Sequence, residues 1–381
     1  MPITTRPEAI MIRGEGSYLW DNHGSRYLDF IQGWAVNCLG HCPEAIVEAL
    51  HTQARTLISP SPALHNAPQH ALAQRLSALS GLAEVHFANS GAEANEVAVK
   101  LARKWGRLNK PEATQIITTL NGFHGRTLAM MAASGKPGWD ELFAPAMPGF
   151  RKVPFGDTEA MREAIGAETI AVMLEPIQGE AGVIVPPADY LRAVRTLTEQ
   201  TNTLLIFDEV QTGVGRTGSL FAFEQHKITP DIMTLGKGLG GGIPISAMLA
   251  APAVCCFEPG DQGGTYNGNP LMTAAALRVV EEVAKPQFLH AVCARGEQLR
   301  EGIESLSTRY ALSKVRGAGL LLGVDLPKAC APDVVEAAFE LGFLINAPRP
   351  NSLRLMPALN VGEAQIREAI ALLDQALSQT L

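Results

Sequence analysis

Cysteine is scarce in this chain and badly placed for cross-linking. Cys38, Cys42, Cys255, Cys256, Cys293 and Cys330 form no C-x-x-C pair, which argues against a disulfide scaffold and fits a reducing cytoplasm. Cys38 and Cys42 flank His41, yet no second ligand pair follows and lone thiols are usually buried, so no metal is expected. Basic runs are also missing. With 31 Lys and Arg against 38 Asp and Glu the net charge is −7, and nothing in the pattern could track a nucleic-acid backbone. Long apolar runs are lacking too. Ala9 to Ile12 is stopped at once by Arg13, short of a signal-peptide core, and Ile243 to Phe257 contains Pro244 and Pro252 and is too short to span a bilayer. No export or membrane insertion is expected. Internal repeats, low-complexity tracts and long linkers are likewise not found.

What is present is an ordinary globular composition, 46% apolar and 18% charged over 381 residues, enough for one large α/β domain and a smaller one. Short apolar runs alternate with amphipathic helical stretches, the signature of a mostly parallel sheet covered by helices. The expected strands are Val85–Ala88, Ile116–Leu120, Ala171–Leu174, Leu204–Phe207, Ile232–Leu235 and Ile245–Leu249. Helical spacing links Ala94, Val97, Ala98 and Leu101, and again Leu191, Val194 and Leu197. Pro43 opens a further helix with Ile46, Ala49, Leu50 and Leu57 on one face. From about Pro270 the pattern turns to helix, then to strand-like pieces at Leu320–Val324 and Ser352–Leu355, then to a last helix. The expected division is a large domain over 44–270 and a small domain built from both chain ends, 1–43 and 271–381.

Ligands of such sheets bind beyond the carboxyl ends of the strands. Four of the expected strands end at Ser90, Glu175, Asp208 and Lys237. The stretch LLIFDEVQTGVGRTG, Leu204 to Gly218, runs from apolar residues directly into two acids. A magnesium-binding ATPase segment looks like this, but it requires a G-x-x-x-x-G-K-[ST] phosphate loop. TLGKGLGGG, Thr234 to Gly242, fails that test: Lys237 precedes Gly238, and Asp231 stands where the first glycine should.

The other reading makes Lys237 a nucleophile. An amine between glycines at a strand end can condense with an aldehyde, and a nearby cation lowers its pKa. Pyridoxal phosphate is such an aldehyde, and its ring nitrogen needs an acid partner to stay protonated; Asp208 could be that partner. A solvated loop lysine is the plain alternative. In NSGAEANE, Asn89 to Glu96, the residues Ser90, Gly91 and Ala92 stand where strand becomes helix, and backbone amides there suit an anion. Ser90 is equally a good helix cap. Phe123 of GFHGRT could stack on a pyridine ring and Val210 close its other face, or both could be core residues.

NSGAEANE, FHGRT, EPIQGEAGV, DEVQTGVGRTG, TLGKGLGGG, TYNGNP and LRLMPAL occur in that order. Together they resemble the class III pyridoxal-phosphate aminotransferases from about Arg13 to the C-terminal helix. Within that family the chain looks most like acetylornithine aminotransferases, then ornithine aminotransferases. The resemblance implies an α/β, aspartate-aminotransferase-like architecture of fold type I, with a large mostly parallel-sheet domain, a smaller α+β domain, and a homodimer whose active sites lie at the subunit interface. It implies Lys237 as the lysine that binds pyridoxal 5'-phosphate covalently, then as general base and acid. Asp208 would be the pyridinium partner and Gln211 a neighbour of the ring hydroxyl. Ser90, Gly91 and Ala92 would cradle the phosphate, and Thr265 would reach the phosphate in the partner subunit.

TYNGNP departs from the commoner S-T-x-G-G-N-P of the family in having Gly264 and Asn267. Asparagine tolerates left-handed backbone, so the turn can survive. Arg126 is matched to the α-carboxylate of acetylornithine, Arg354 to that of glutamate, and Glu180 to neutralising Arg354 when the other substrate is bound. Without the resemblance, Arg354 reads as a strand-surface residue and Arg126 as a partner for some acid. Trp34, after DFIQG, stands where ornithine aminotransferases have tyrosine; a core tryptophan is the plain alternative. The implied reaction is transfer from N2-acetylornithine to 2-oxoglutarate in arginine biosynthesis. Succinylornithine, succinyldiaminopimelate, ornithine or 4-aminobutyrate are alternative amino donors, since an apolar pocket separates near analogues by only about 1–3 kcal/mol. A binding protein that had lost its chemistry would lack Lys237 or Asp208, and an aminomutase or decarboxylase on the same fold would not need two carboxylate clamps.

Overall fold

A computed structural model describes every residue except Pro2 and Thr5. Strands β1 (Met11–Glu15), β2 (Tyr18–Asp21) and β3 (Arg26–Asp29) form an N-terminal meander. The large sheet follows, from β4 (Glu84–Ala88), β5 (Gln115–Thr119), β6 (Phe150–Val153), β7 (Thr169–Leu174), β8 (Leu204–Asp208), β9 (Ile232–Leu235) and β10 (Ser246–Ala250). The C-terminal part contributes β11 (Arg316–Ala318), β12 (Leu321–Asp325), β13 (Phe343–Leu344), β14 (Asn346–Arg349) and β15 (Ser352–Leu355).

The large sheet has the order β4-β10-β9-β8-β7-β5-β6, and β10 alone runs against its neighbours. Its central strands β7 and β8, TIAVML and LLIFD, are buried at every position. That is why they read as unbroken apolar runs rather than as alternation: helices cover both faces. Ile206, Ile232 and Met248 pack toward the helix Gly91–Asn109, whereas Leu205, Phe207 and Met233 face the other core. The helix Gly91–Asn109 buries Ala94, Val97, Ala98, Leu101 and Trp105. It can lie directly on the sheet because a Cβ at Gly106 would come within 2.5 Å of the Ile170 side chain. Leu191, Val194 and Leu197 are the buried stripe of the helix Tyr190–Gln200.

The six expected strands of the large sheet are all present, with ends shifted by at most two residues. β6 is a seventh, which the sequence reading lacks: FRKV is short, at the sheet edge, and exposes Arg151. The helix after Pro43 runs Glu44–Thr56 and buries only Ile46 fully, while Leu57 lies just past its end and is exposed. Leu57 thus does not join the core face assigned to it. The helix Pro270–Val283 opens on Asn269 as its cap, and the helices Pro286–Tyr310, Ala331–Glu340 and Glu363–Thr380 complete the chain. Both chain ends meet where β13 pairs in parallel with β3, Phe343 opposite Leu28. A second small sheet has the order β11-β12-β15-β14 and carries Arg354.

One buried cation ties the two regions together. Arg216, from the loop after β8, donates through Nη1 to the carbonyls of Leu320 at 2.9 Å and Pro357 at 2.6 Å. The Arg216 carbonyl accepts in return from the Leu320 amide at 3.0 Å. Burial pulls its pKa down to about 10, so it stays charged at neutral pH. Arg216→Leu is expected to strand two buried carbonyls at about 1–3 kcal/mol each, lowering stability by about 2–6 kcal/mol in total. Denaturant unfolding measures this, and an unchanged midpoint would mean the carbonyls find other donors.

Candidate active site

The carboxyl ends of β4, β5, β7, β8 and β9 open onto one cavity of about 290 Å3. Asp208 sits on its floor, 3% exposed. Its Oδ2 accepts from Asn95 Nδ2 at 2.7 Å and lies 2.8 Å from His124 Nδ1, while Oδ1 accepts from the Val210 amide at 3.0 Å. Asn95 is itself fixed, donating to the His124 carbonyl at 2.7 Å and accepting from Thr234 Oγ1 at 2.6 Å. Burial alone would depress the His124 imidazole, but the hydrogen bond and charge of Asp208, with Glu175 behind, raise its pKa. Glu175 is pushed up to about 7, chiefly by burial, although Phe123 and Gly179 both donate backbone amides to it.

Lys237 lines the same cavity as Asp208. The register explains this: Asp208 pairs with Thr234 across β8 and β9, and the chain reaches Lys237 three residues later. Lys237 begins a short 3-10 turn with φ of 40°, a left-handed backbone uncommon for a side chain with a Cβ. Burial, aided by the charge of Arg354, lowers its pKa against the opposing pull of Glu180, Asp208 and Glu175. It is therefore not the solvated loop lysine of the plain reading.

Gly91 and Ala92 also line the cavity, at the first turn of a 19-residue helix. Free amides and the positive helix end point there. The space is tight: a Cβ on Gly91 would come within 2.7 Å of Val210, and one on Gly125 within 2.7 Å of Ala92. Ser90 is exposed and caps this helix, its Oγ accepting from the Glu93 amide at 3.3 Å and donating to Glu93 Oε2 at 2.9 Å. Phe123 lines the cavity and meets Trp139 edge to face at 5.7 Å. Val210 and Gln211 line it as well.

Arg354 is fully buried, not a strand-surface residue. Its Nη1 donates to Glu180 at 2.6 Å and to Gln211 Oε1 at 3.3 Å; Nε and Nη2 donate to Asn346 Oδ1 at 3.0 and 2.7 Å. Burial would raise the Glu180 carboxyl, but Arg354 and Lys237 together hold it below its ordinary range. Trp34 is 49% exposed, so it is not a core tryptophan, and its ring lies 5.7 Å from the Arg354 guanidinium carbon. Arg126 lines the cavity, is exposed, and lies 5.5 Å over the Trp139 ring. Among the described residues no carboxylate forms an ion pair with it, so the plain reading of Arg126 as an acid's partner is not met. Thr265 is exposed and does not line this cavity.

The cavity thus gathers Gly91, Ala92, Phe123, Arg126, Glu180, Asp208, Val210, Gln211 and Lys237, while Ser90, Arg354, Trp34 and Thr265 stand outside its lining. Sequence reasoning assigned no part to Asn95 or His124. FHGRT offered the histidine as a signal, but its contact with Asp208 spans 84 residues. Cys38, read as a buried thiol, donates to the Gly238 carbonyl at 3.1 Å, and burial pushes its pKa up to about 12. His41 instead faces Asp29 at 2.8 Å.

Comparison with known proteins places this geometry. The family described as Aminotransferase class-III matches residues 3–377. Acetylornithine aminotransferase 2 of Bordetella pertussis is 54% identical, covering 99% of this chain and 96% of its own. Acetylornithine aminotransferase of Ralstonia nicotianae is 53% identical over 98% and 95%. Among solved structures, ornithine aminotransferase from Toxoplasma gondii superposes with a TM-score of 0.94 at 32% identity, covering 99% and 92%. N-acetylornithine aminotransferase from Stenotrophomonas maltophilia gives 0.87 at 36%, covering 98% and 96%. The chain belongs to the class III aminotransferases and has their α/β fold. The family works with pyridoxal phosphate, and the residues present fit that group: an amine of lowered pKa, a fixed carboxylate, and a helix start where glycine leaves room for an anion.

The buried acids set a pH dependence. Glu175 has a folded pKa of about 7 against an ordinary 4.5. Its contribution to stability is therefore full below 4.5 and lost as pH rises through about 7. His124, raised above its ordinary 6.5, acts in the same sense at higher pH, whereas Lys237, lowered, acts in the opposite sense toward 10.5. The stability difference between the parent and Glu175→Gln, both free of cofactor, is expected to shift against the parent between about pH 5 and pH 8. Thermal melts across that range test it, and a difference independent of pH would place the titration elsewhere.

Proposed function

We propose that this class III aminotransferase moves the terminal amino group of N2-acetylornithine to 2-oxoglutarate, forming N-acetylglutamate 5-semialdehyde and glutamate in arginine biosynthesis. The observation that carries the reading is the buried Arg354 held by Glu180 at 2.6 Å beside the Lys237 cavity. Similarity over nearly the full chain to relatives named acetylornithine aminotransferase supports the choice of donor.

The site must accept two substrates that react at different ends. Glutamate brings an α-carboxylate close to its reacting amine, and Arg354 binds it as a bidentate pair. Acetylornithine reacts at its terminal amine, so its carboxylate lies far away, at Arg126 on the exposed rim. Glu180 then remains on Arg354 and cancels a buried charge that would otherwise be costly. Trp34, over the guanidinium, bounds the space between.

Pyridoxal phosphate, when bound, supplies an electron sink that makes the hydrogen on the amine-bearing carbon acidic. Ser90, Gly91 and Ala92 hold its phosphate through the helix start. Asp208 holds the ring nitrogen protonated, and Gln211 stands by the ring hydroxyl. Phe123 and Val210 close the ring faces. Lys237 would hold the cofactor through Nζ and, as a free amine, would carry a proton on that atom as base and then acid. Its lowered pKa keeps a larger fraction of that amine neutral at working pH.

The same reading divides the chain into a cofactor-binding domain, 44–270, and a small domain from 1–43 and 271–381; the pairing of β3 with β13 supports the union of the two ends. It also makes the enzyme a cytoplasmic homodimer in which Thr265 reaches the partner's cofactor phosphate. In support, Thr265 is exposed beside the exposed Tyr266, and an apolar groove runs between the helices Glu44–Thr56, Ala67–Ser80 and Pro270–Val283. All six cysteines are free, and among the described residues no helix is long and apolar enough to cross a membrane.

A half-reaction screen tests the donor by following bleaching of the cofactor's visible absorbance. Acetylornithine is expected to bleach it fastest among succinylornithine, succinyldiaminopimelate, ornithine and 4-aminobutyrate; no response to acetylornithine alongside a response to another amine would reassign the substrate. Lys237→Ala is expected to keep the fold and lose turnover, which circular dichroism and steady-state assay read together. Arg354→Ala is expected to reduce kcat/KM for glutamate by about 100-fold, the worth of a charge-assisted bidentate pair, and for acetylornithine much less. Equal losses would remove the Glu180 exchange.

A further inference from the structure

The turn from Gly264 to Pro270 lies against the start of the helix Gly91–Asn109, and one side chain bridges them. Asn267 Oδ1 accepts from Asn89 Nδ2 at 3.2 Å, and Asn267 Nδ2 stands 3.2 Å from His86 Nε2. The direction of these bonds follows from a carboxylate. Asn89 Nδ2 also donates to Glu93 Oε1 at 3.1 Å, and a carboxylate only accepts, so the Asn89 amide can point only one way. Asn267 must then present its oxygen to Asn89 and its nitrogen to His86, whose Nε2 accepts. Burial, with the charge of Lys100, lowers the His86 pKa, which favours the neutral ring that an accepting nitrogen requires.

Asn89 is the residue through which this reaches the cavity. Its backbone amide donates to Glu93 Oε2 at 3.0 Å, and the same oxygen accepts from Ser90 Oγ at 2.9 Å. The Ser90 carbonyl accepts from Ser246 Oγ at 2.7 Å. Asn267 thus braces the residue just before the turn that ends in Gly91 and Ala92. The turn around Asn267 is fixed in its own right, since the Gly268 carbonyl accepts from Asn66 Nδ2 at 3.0 Å.

Gly264 makes the bridge possible. Its φ is not in the left-handed region, so its conformation does not require glycine. Space does: a Cβ there would come within 2.6 Å of both Asn267 Oδ1 and Asn267 Nδ2. The two positions at which this turn departs from S-T-x-G-G-N-P are therefore one compensated pair. We propose that Asn267, admitted by Gly264, is a positioning residue that braces Asn89 and so sets the amides of Gly91 and Ala92 for the cofactor phosphate. The inference rests on the reading that this turn takes the phosphate. It also joins, within one subunit, the Thr265 turn to the subunit's own phosphate cradle.

The test compares how tightly cofactor-free protein binds pyridoxal phosphate and pyridoxal, which differ only in the phosphate. The ratio of the two dissociation constants reads the phosphate grip. Asn267→Ala is expected to lower the phosphate preference about two- to tenfold, the worth of a typical hydrogen bond, with pyridoxal affinity and the melting temperature nearly unchanged. Gly264→Ala is expected to lower it comparably by displacing the Asn267 amide. The double variant should be no worse than Asn267→Ala alone, a non-additive pair. An unchanged preference in Asn267→Ala, or additive losses in the double variant, would overturn the brace while leaving the phosphate reading intact. A parent protein that binds the two compounds equally would instead overturn the phosphate reading, and the brace with it. Should Gly264→Ala not fold, the Asn267→Ala ratio decides alone.

Discussion

The site is organised around a buried carboxylate that cannot move. Asp208 draws its partners from the helix Gly91–Asn109, the loop after β5 and its own strand end. Each contributor is in turn fixed by another, Asn95 by Thr234 on β9 and His124 by the Ser134 hydroxyl at 2.9 Å. A buried polar network of this kind is costly when half satisfied and rigid when complete. Three elements of the large sheet's carboxyl edge are therefore locked in register by one side chain, and a ring placed against Asp208 would inherit that register. Among the described residues, the buried His124 Nε2 has no hydrogen-bond partner.

Around that fixed point the remaining charges are arranged in competition. Lys237 and Arg354 are cations close enough to influence one another, and both act on Glu180. Removing either cation would leave Glu180 less compensated, and removing Glu180 would leave Arg354 buried without its carboxylate. In the proposed exchange, a substrate carboxylate reaching Arg354 would replace Glu180 without any buried charge being left alone. Of the ion pair, Glu180 has the solvent access, its side chain 35% exposed against 0% for Arg354. The acid that would leave in that exchange is the one that water can receive.

What the sequence disclosed follows the range of the forces involved. The buried parallel strands were legible because local composition is dictated by burial on both faces, and Asp208 and Lys237 were legible because they end such strands. β6 was not, being an edge strand whose FRKV mixes exposed and buried positions. β13 is two residues long and is defined by its pairing with β3, Phe343 with Leu28, which no local window contains. The roles of Asn95 and His124 depend on contacts to Asp208 across 113 and 84 residues. Asn267 was visible only as a departure from an expected motif. Its meaning lies in Asn89, 178 residues away.

Trp34 shows how the backbone can be bent to serve a site. Gln32, Gly33, Trp34 and Ala35 all have positive φ, at 48°, 60°, 67° and 63°, one turn of left-handed chain. Each of the three non-glycine residues costs on the order of 1–2 kcal/mol in that region, so the turn persists only because its surroundings over-determine it. Asp29 does so. Its Oδ1 accepts from the amides of Ile31 and Gln32 at 2.8 Å, and its carbonyl from Gln32 Nε2 at 3.0 Å. From the other side the Phe30 carbonyl accepts from the Met356 amide at 2.7 Å, two residues beyond Arg354. The strained turn and the buried guanidinium are thus bolted to the same strand end, and the indole is delivered over the cation. A right-handed continuation would carry residue 34 in another direction and take the indole away from Arg354.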